Sequence, residues 1–283
     1  MKKLAQEGFL ELPDGHRVFT RISDTKKDKW LFVTHGIGEH SGRYDFIFKH
    51  FSHLYNIFTY DLRGHGKSSG KRGYVEDFSI FHNDLKELLL YLKEKHALQK
   101  LDIFGHSMGA LITAGFLQKY KTFFKDLGGE KVFLSSPPVR AADPLATALY
   151  LLPSAGLKSL VHIALPIAMS SKIPLEFLSH DPEVGKSYES DELVLKRYYL
   201  RLLLALLSSS KDVFARPLGL DNVTITIGGE DKIVNVKAIQ KYINQVDSQV
   251  SFRLFEQGRH ELHFEIDEIQ SKYLSFLKET LSA

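Results

Sequence analysis

The chain has 283 residues, of which 43% are hydrophobic and 25% charged, and these proportions exclude a disordered or fibrous protein. The formal net charge is only +3, and no dense Lys/Arg run with interleaved aromatic residues occurs, so nucleic acid is not an expected partner. The chain contains no cysteine, which excludes disulfides and thiolate metal sites.

The N-terminal stretch Met1–Glu7 has no apolar segment long enough for a signal peptide. The lack of cysteine also fits a reducing compartment. We therefore expect a cytoplasmic protein.

The next segments alternate between strand and helix patterns. Residues 8–22 predict a β-hairpin turned by Pro13-Asp14-Gly15. Further strands are predicted near Trp30, Asn56, Leu101, Lys131, Asn222 and Ser251. The clearest of the intervening helices is Val75–His96, whose apolar residues recur at helical spacing. This alternation predicts an α/β fold with a mostly parallel central sheet and helices on both of its faces.

A long interruption separates the strand at Val132–Leu134 from the strand at Val223–Ile225. It is too long for a structureless loop in a compact domain. We predict that residues 139–217 form an inserted helical cap and that residues 1–138 and 218–283 form the core.

The predicted cap is unusually apolar. Residues 144–169 carry little charge, but Pro153, Lys158 and Pro166 interrupt them, so no run is long enough to span a bilayer. Residues 193–207 predict a helix with apolar residues on nearly every side. These residues either pack the cap on the core or form an acyl tunnel with loose membrane contact, and we favour the second interpretation.

The motif Gly105-His106-Ser107-Met108-Gly109 fits G-x-S-x-G between an apolar strand and an apolar helix. Such a sharp turn strains the backbone of its apex residue and leaves room only for glycine beside it. The following helix directs free N–H groups toward the apex. Ser107 is therefore the candidate nucleophile.

A serine nucleophile needs a base and an acid that orients the base. The strand at residues 225–227 ends at a glycine pair followed by Glu230 and Asp231, and we favour Asp231 as the acid. The strand at residues 252–255 leads through Gly258 to His260, the candidate base, before a closing helix predicted at Phe264–Leu281 with Ile266 on its apolar face.

An oxyanion formed at Ser107 needs two converging backbone donors. Met108, directly after the serine, supplies one, and the loop His35-Gly36-Ile37-Gly38, which follows an early strand, supplies the other through Ile37. This chemistry requires neither a metal nor an organic cofactor.

Five segments together resemble the monoacylglycerol lipase and lysophospholipase branch of the α/β-hydrolases. They are HGIGEHSGRY at 35–44, YDLRGHGKSSG at 60–70, GHSMG at 105–109, GGED at 228–231 and the segment around His260. The resemblance implies an α/β-hydrolase fold and a serine ester hydrolase that cleaves monoacylglycerols to glycerol and fatty acid. It also implies that Glu39, Arg43 and His263 line a pocket for the glycerol group.

Several alternatives stay open. Glu39 and Arg43 could instead pair with each other to brace the oxyanion loop. A lysophospholipase would bind phosphate through cap cations, for which Lys196, Arg197 and Arg201 are available. A serine aminopeptidase would bind an amine through cap acids, for which Glu176, Asp181 and Glu183 are available. A general carboxylesterase and a non-catalytic lipid-binding protein on the same scaffold are the remaining candidates.

Overall fold

The computed structural model describes residues 4–164, 167–170 and 174–282. The strands in these ranges are β1 (Gln6–Glu11), β2 (Arg17–Ser23), β3 (Lys29–Thr34), β4 (Asn56–Tyr60), β5 (Lys100–His106), β6 (Gly129–Ser135), β7 (Ala168–Ser170), β8 (Arg197–Tyr199), β9 (Val223–Gly228) and β10 (Ser251–Phe255). The helices are α1 (Asp45–Phe51), α2 (Ser79–His96), α3 (Met108–Asp126), α4 (Pro144–Tyr150), α5 (Ser154–Ile163), α6 (Pro182–Ser190), α7 (Leu200–Val213), α8 (Val236–Gln245) and α9 (Asp267–Ser282).

An eight-stranded sheet forms the centre of the molecule, in the order β1-β2-β4-β3-β5-β6-β9-β10. Strand β2 pairs antiparallel with β1 and with β4. All the other neighbours in this sheet pair in parallel, in the order β4, β3, β5, β6, β9 and β10. The predicted mostly parallel sheet and the predicted hairpin are therefore confirmed.

Helices cover both faces of this sheet. On strand β3, Trp30 and Phe32 face a core cluster shared with α2, α3 and α8, while Leu31 and Val33 face a second cluster shared with α1 and α9. The near-continuous burial of β3 is typical of a parallel strand that is covered on both sides.

Two predicted helix boundaries in the core are wrong. Helix α2 begins at Ser79 rather than at residue 75, because the Asp77 side chain accepts a hydrogen bond from the Ser79 N–H at 2.8 Å and forms a turn before the helix. Helix α9 begins at Asp267, and Ile266 lies before it with 44% of its surface exposed rather than on the apolar face.

The inserted segment between β6 and β9, for which we predict a helical cap at residues 139–217, contains a small sheet as well as helices. Strands β7 and β8 pair antiparallel, so the helix predicted from residue 193 starts only at Leu200. In α7, Leu202, Leu204 and Leu207 are buried against the core. Pro153 separates α4 from α5, whereas Pro166 lies outside the described residues.

The loops that carry the candidate site all follow parallel strands at one edge of the sheet. Strand β3 leads into the loop at residues 35–40, β5 into Ser107, β9 into Asp231 and β10 into His260. Open α/β sheets bind ligands outside the carboxyl ends of their strands.

Candidate active site

Ser107 lies at the junction of β5 and α3 with φ 51° and ψ −120°. A non-glycine residue held there stores on the order of 1–3 kcal/mol of backbone strain. A Cβ on Gly109 would overlap the carbonyl oxygen of Thr34, and one on Gly105 would lie 2.7 Å from the carbonyl oxygen of Gly109. Both glycines of the motif are therefore required by close packing around the serine, as the sequence predicts.

His260 connects Ser107 to Asp231. Its Nε2 lies 3.0 Å from Ser107 Oγ, and its Nδ1 lies 2.8 Å from Asp231 Oδ2. A neutral imidazole with its proton on Nδ1 donates to the carboxylate and accepts the serine hydroxyl proton. The structure thus brings together the three side chains that the sequence singles out, in the geometry of nucleophile, base and orienting acid.

The structure also distinguishes the two adjacent acids. Asp231 Oδ1 accepts hydrogen bonds from the N–H groups of Ile233 and Val234, which aim the other carboxylate oxygen at His260. The side chain of Glu230 is half exposed and lies 3.2 Å from His180 Nε2. Asp231, and not Glu230, faces the imidazole.

The loops of Asp231 and His260 are fixed to each other. A Cβ on Gly228 would overlap the carbonyl oxygen of Gly258, and the Glu230 N–H donates to that same oxygen at 2.9 Å. Ser136 Oγ donates to the carbonyl oxygen of His260 at 2.9 Å. Sequence reasoning missed Ser136, whose left-handed φ of 48° is not signalled by any motif.

The pKa of His260 results from two opposing effects. Complete burial disfavours the charged imidazolium and would lower the pKa, but the negative charge and hydrogen bond of Asp231 more than offset this, so the pKa is raised above its ordinary value. A base with a raised pKa takes the serine proton more readily.

The loop that carries Ile37 is held against the nucleophile. A Cβ on Gly36 would lie 3.2 Å from the Cβ of Ser107. The Gly36 N–H donates to Glu39 Oε2 at 2.7 Å, which fixes the turn around Ile37. Met108 is the first residue of α3, where backbone N–H groups have no intrahelical partner.

Glu39 and Arg43 form a buried network with Glu261, which sequence reasoning did not single out. Arg43 Nε donates to Glu39 Oε1 at 3.0 Å and its terminal nitrogen to Glu261 Oε2 at 2.6 Å. Tyr44 donates its hydroxyl to Glu39 at 2.7 Å. Pairing of Glu39 with Arg43, one of the two interpretations left open by the sequence, is therefore present.

The two acids of this network differ in pKa. Burial alone would raise the pKa of Glu39, but the Arg43 charge more than offsets it and holds that pKa well below its ordinary value. Burial raises the pKa of Glu261 to about 7, although Arg43 opposes the shift.

His263 is fully buried and stacks on Phe46, with ring centroids 4.9 Å apart. It lies edge-on to His106, whose ring contacts His260 in turn. Burial lowers the pKa of His106 to about 3 and that of His263 well below its ordinary value, so both imidazoles are neutral at pH 7. Glu39, His106 and His263 each offer an atom that can ligate a metal ion, and these atoms lie within 4.8 Å of one another. The Glu39 carboxylate, however, already accepts hydrogen bonds from Gly36, Arg43 and Tyr44.

A small cavity of about 30 Å³ lies beside Ser107. Its wall consists of Gly36, Ile37, Glu39, His106, Ser107, Leu178, Tyr188, Ile233, His260 and Glu261. A volume of this size holds only a few water molecules and is much smaller than an acyl chain. Leu178 and Tyr188 are the residues of the inserted segment that form part of this wall.

A larger cavity of about 520 Å³ lies between α2 and α3 of the core and α5 and α7 of the inserted segment. None of the residues that line it also lines the cavity beside Ser107. We therefore do not assign the acyl chain to it.

The charged residues considered for the rival functions do not line the cavity beside Ser107. Lys196 donates to the carbonyl oxygen of Tyr188, Arg197 to that of Ala168 at 3.4 Å and Arg201 to that of Glu76 at 3.2 Å. Among the acids, Asp181 caps α6 and Glu183 pairs with exposed Lys186. Glu176 also lies outside the cavity wall.

Comparison with known proteins identifies the family. Residues 25–267 match the Hydrolase_4 family, described as serine aminopeptidase, S33. The chain belongs to this family. Mouse monoglyceride lipase is 28% identical to it, over 92% of this chain and 85% of the mouse protein. Monoacylglycerol lipase of Mycolicibacterium smegmatis is 26% identical, over 90% of this chain and 91% of the bacterial protein.

Two solved structures share the fold. The chain aligns with a soluble variant of Saccharomyces cerevisiae monoglyceride lipase in complex with a substrate analogue, with a TM-score of 0.79, 20% identity and coverage of 100% of this chain and 95% of the other. For the Paleococcus ferrophilus monoacylglycerol lipase the TM-score is 0.75, at 22% identity and coverage of 93% and 99%. This family member is an α/β-hydrolase and a carboxylic ester hydrolase. None of the helices in the described ranges is both long and apolar enough to cross a bilayer.

Proposed function

We propose that this family member hydrolyses monoacylglycerols to glycerol and free fatty acid. His260 removes the Ser107 proton as the serine attacks the ester carbonyl, and Asp231 holds the imidazole in the required tautomer. The Ile37 and Met108 N–H groups stabilise the oxyanion. His260 returns the proton to the departing glycerol oxygen, and water activated by the neutral His260 then attacks the acyl-serine and releases the fatty acid while Ser107 regains its proton.

The observation that carries this proposal is the Ser107–His260–Asp231 arrangement beneath the HGIGE loop, in a chain whose curated relatives include monoglyceride lipases aligned over most of their length. The family description leaves the substrate open. The relatives favour a lipid ester.

We assign the polar side of the cavity to the glycerol group. Glu39 lies in the cavity wall and can accept a hydrogen bond from a hydroxyl. Arg43 lies behind it, and His263 reaches the cavity only through His106. In this proposal Glu39 binds glycerol, while Arg43 and His263 position Glu39 and His106.

A substrate series tests the proposed function. Monoacylglycerols of increasing chain length are compared with matched lysophosphatidylcholines and with di- and triacylglycerols, and glycerol and fatty acid release are measured. We expect monoacylglycerols to be preferred by about tenfold or more over the lysolipids, because the phosphate of a lysolipid replaces a glycerol hydroxyl that would donate a hydrogen bond to Glu39. A preference for lysophosphatidylcholines, or activity confined to short activated esters, would contradict the proposal.

We also propose that residues 139–217 act as a mobile cap that delivers lipid from a membrane surface. Large apolar side chains of this segment are widely exposed, including Leu151 at 73%, Ile163 at 71% and Leu145 at 69%. Exposed apolar surface is typical of an interaction site, and the concentration of exposed large apolar side chains in this one segment supports the proposal.

The double variant Leu151→Glu/Ile163→Glu should bind phosphatidylcholine vesicles at least about tenfold more weakly than the wild type in a flotation assay, because two exposed apolar side chains that would enter the membrane surface are replaced by charges. Hydrolysis of a short soluble ester should be unchanged. Phe9→Glu is the matched control, since Phe9 on β1 is 48% exposed but lies outside the inserted segment. Equal binding by the double variant and the control would exclude this surface.

A second candidate, a serine aminopeptidase, is favoured by the family description and by the two carboxylates in the cavity wall. Release of aminomethylcoumarin from aminoacyl substrates distinguishes it. Turnover of these amides faster than of monoacylglycerols would replace the lipase assignment.

A further inference from the structure

Two carboxylates line the cavity beside Ser107, and the arginine that pairs with both of them lies outside the cavity wall. Glu39 and Glu261 both line the cavity, and each is only 2% exposed. Arg43 bonds to both but lies outside the wall, with its guanidinium stacked on the rings of Tyr188 and Phe264 at 4.9 Å. A substrate headgroup in the cavity therefore meets negative charge first.

Glu261 has no part in the proposed chemical steps, yet hydrogen bonds fix the position of both its backbone and its side chain. It directly follows His260, and its N–H donates to the carbonyl oxygen of Leu178 at 2.8 Å. Glu39 bonds directly to the oxyanion loop, whereas Glu261 is connected to that loop only through Arg43 and Glu39, so a change at Glu261 disturbs the loop less than a change at Glu39.

We propose that Glu261 determines headgroup specificity: it admits esters whose leaving alcohol is uncharged and excludes those with an anionic headgroup. This inference rests on the proposed function and specifies its substrate class. A carboxylate in a buried wall repels a phosphate at close range far more strongly than in water. Hydroxyl groups, in contrast, can donate hydrogen bonds to the same oxygens.

The ionisation of Glu261 makes this selectivity depend on pH. Burial raises the pKa of Glu261 to about 7, so the repelling charge is present above that pH and is lost as pH falls through it. The charged and titratable groups that face Glu261 are Arg43, Glu39, His260, Tyr44 and Tyr188. The pKa values of Arg43 and both tyrosines are raised and that of Glu39 is lowered, which leaves His260 as the other group with a bearing on neutral pH.

The test is a competition between 1-oleoylglycerol and 1-oleoyl-lysophosphatidylglycerol in the same neutral detergent micelles. The phosphodiester keeps one negative charge over the whole pH range, so the anionic substrate does not titrate. Because both substrates react with the same enzyme, titration of His260 cancels in the ratio of their kcat/KM values. We expect the wild-type ratio to favour the neutral ester and to fall by about tenfold or more as pH drops through 7.

Three variants complete the experiment. Glu261→Gln should lower the neutral-to-anionic ratio at pH 8 by about 10- to 100-fold and make it independent of pH. Glu261→Asp retains the charge and should retain most of the preference. Glu230→Gln removes a nearby acid that does not line the cavity and should leave the ratio unchanged. Active sites in each variant are first counted by titration with a fluorophosphonate.

A wild-type ratio that does not change with pH, or a Glu261→Gln variant with the wild-type preference, would overturn the assignment. The pH profile of the wild type decides the matter even where Glu261→Gln does not fold. A wild type that hydrolyses neither lipid counts against the proposed function instead, and the charge selectivity is then measured on butyrate esters of the same two headgroups.

Discussion

Ser107→Ala should lower kcat for ester hydrolysis by about 10⁵-fold or more, because without the hydroxyl no acyl-enzyme can form. A fluorophosphonate should label the wild type once, at Ser107, and should not label the variant. The melting temperature should change little, since the substitution removes a single oxygen atom and leaves the packing of Gly105 and Gly109 intact.

Ser136→Ala is the matched control for this experiment. Ser136 is also a buried serine with left-handed φ, and it holds the His260 loop through one hydrogen bond, so a loss of no more than about tenfold is expected. Substantial turnover or labelling in Ser107→Ala would show that another residue is the nucleophile.

Asp231→Asn should lower kcat by about 10⁴-fold with little change in KM. The amide nitrogen would donate to Nδ1 of His260, which places the imidazole proton on Nε2, and Nε2 can then no longer accept the Ser107 proton. The measurement is kcat and KM on a monoacylglycerol, together with the rate of fluorophosphonate labelling.

Glu230→Gln is the corresponding control at the neighbouring acid. Its side chain bonds to His180 at the half-exposed rim, so a change of less than about twofold is expected. If Glu230→Gln lost activity and Asp231→Asn kept it, the acid of the triad would be Glu230.

Much of the fold could be predicted because local pattern and tertiary structure agree. Strand β3 is a short apolar run before a glycine loop, and the sharp turn at Ser107 needs glycines that are visible in the sequence. The largest failure occurs where a distant segment decides the local structure. Residues 197–199 look helical by composition, but they pair with β7 nearly thirty residues earlier, and no periodicity within the segment reveals that partner.

Some residues of the candidate site could likewise be predicted from the sequence, and others could not. Ser107, Asp231 and His260 each follow a strand-ending pattern, so their convergence follows from the parallel sheet. Glu261 and Tyr188 carry no such signal, because an acid after a histidine and a tyrosine in a polar helix are ordinary in sequence. Only the structure shows that both line the cavity.

The contact between the inserted segment and the oxyanion loop limits how this enzyme can be re-engineered. Gly38 has φ +78°, a Cβ there would overlap the Tyr198 hydroxyl, and the Leu195 N–H donates to the Gly38 carbonyl oxygen at 2.8 Å. The cap is thus not an interchangeable module: a chimera that takes its lid from a relative, and with it new residues at 195 and 198, must also take the matching loop around Gly38, or that loop loses its support.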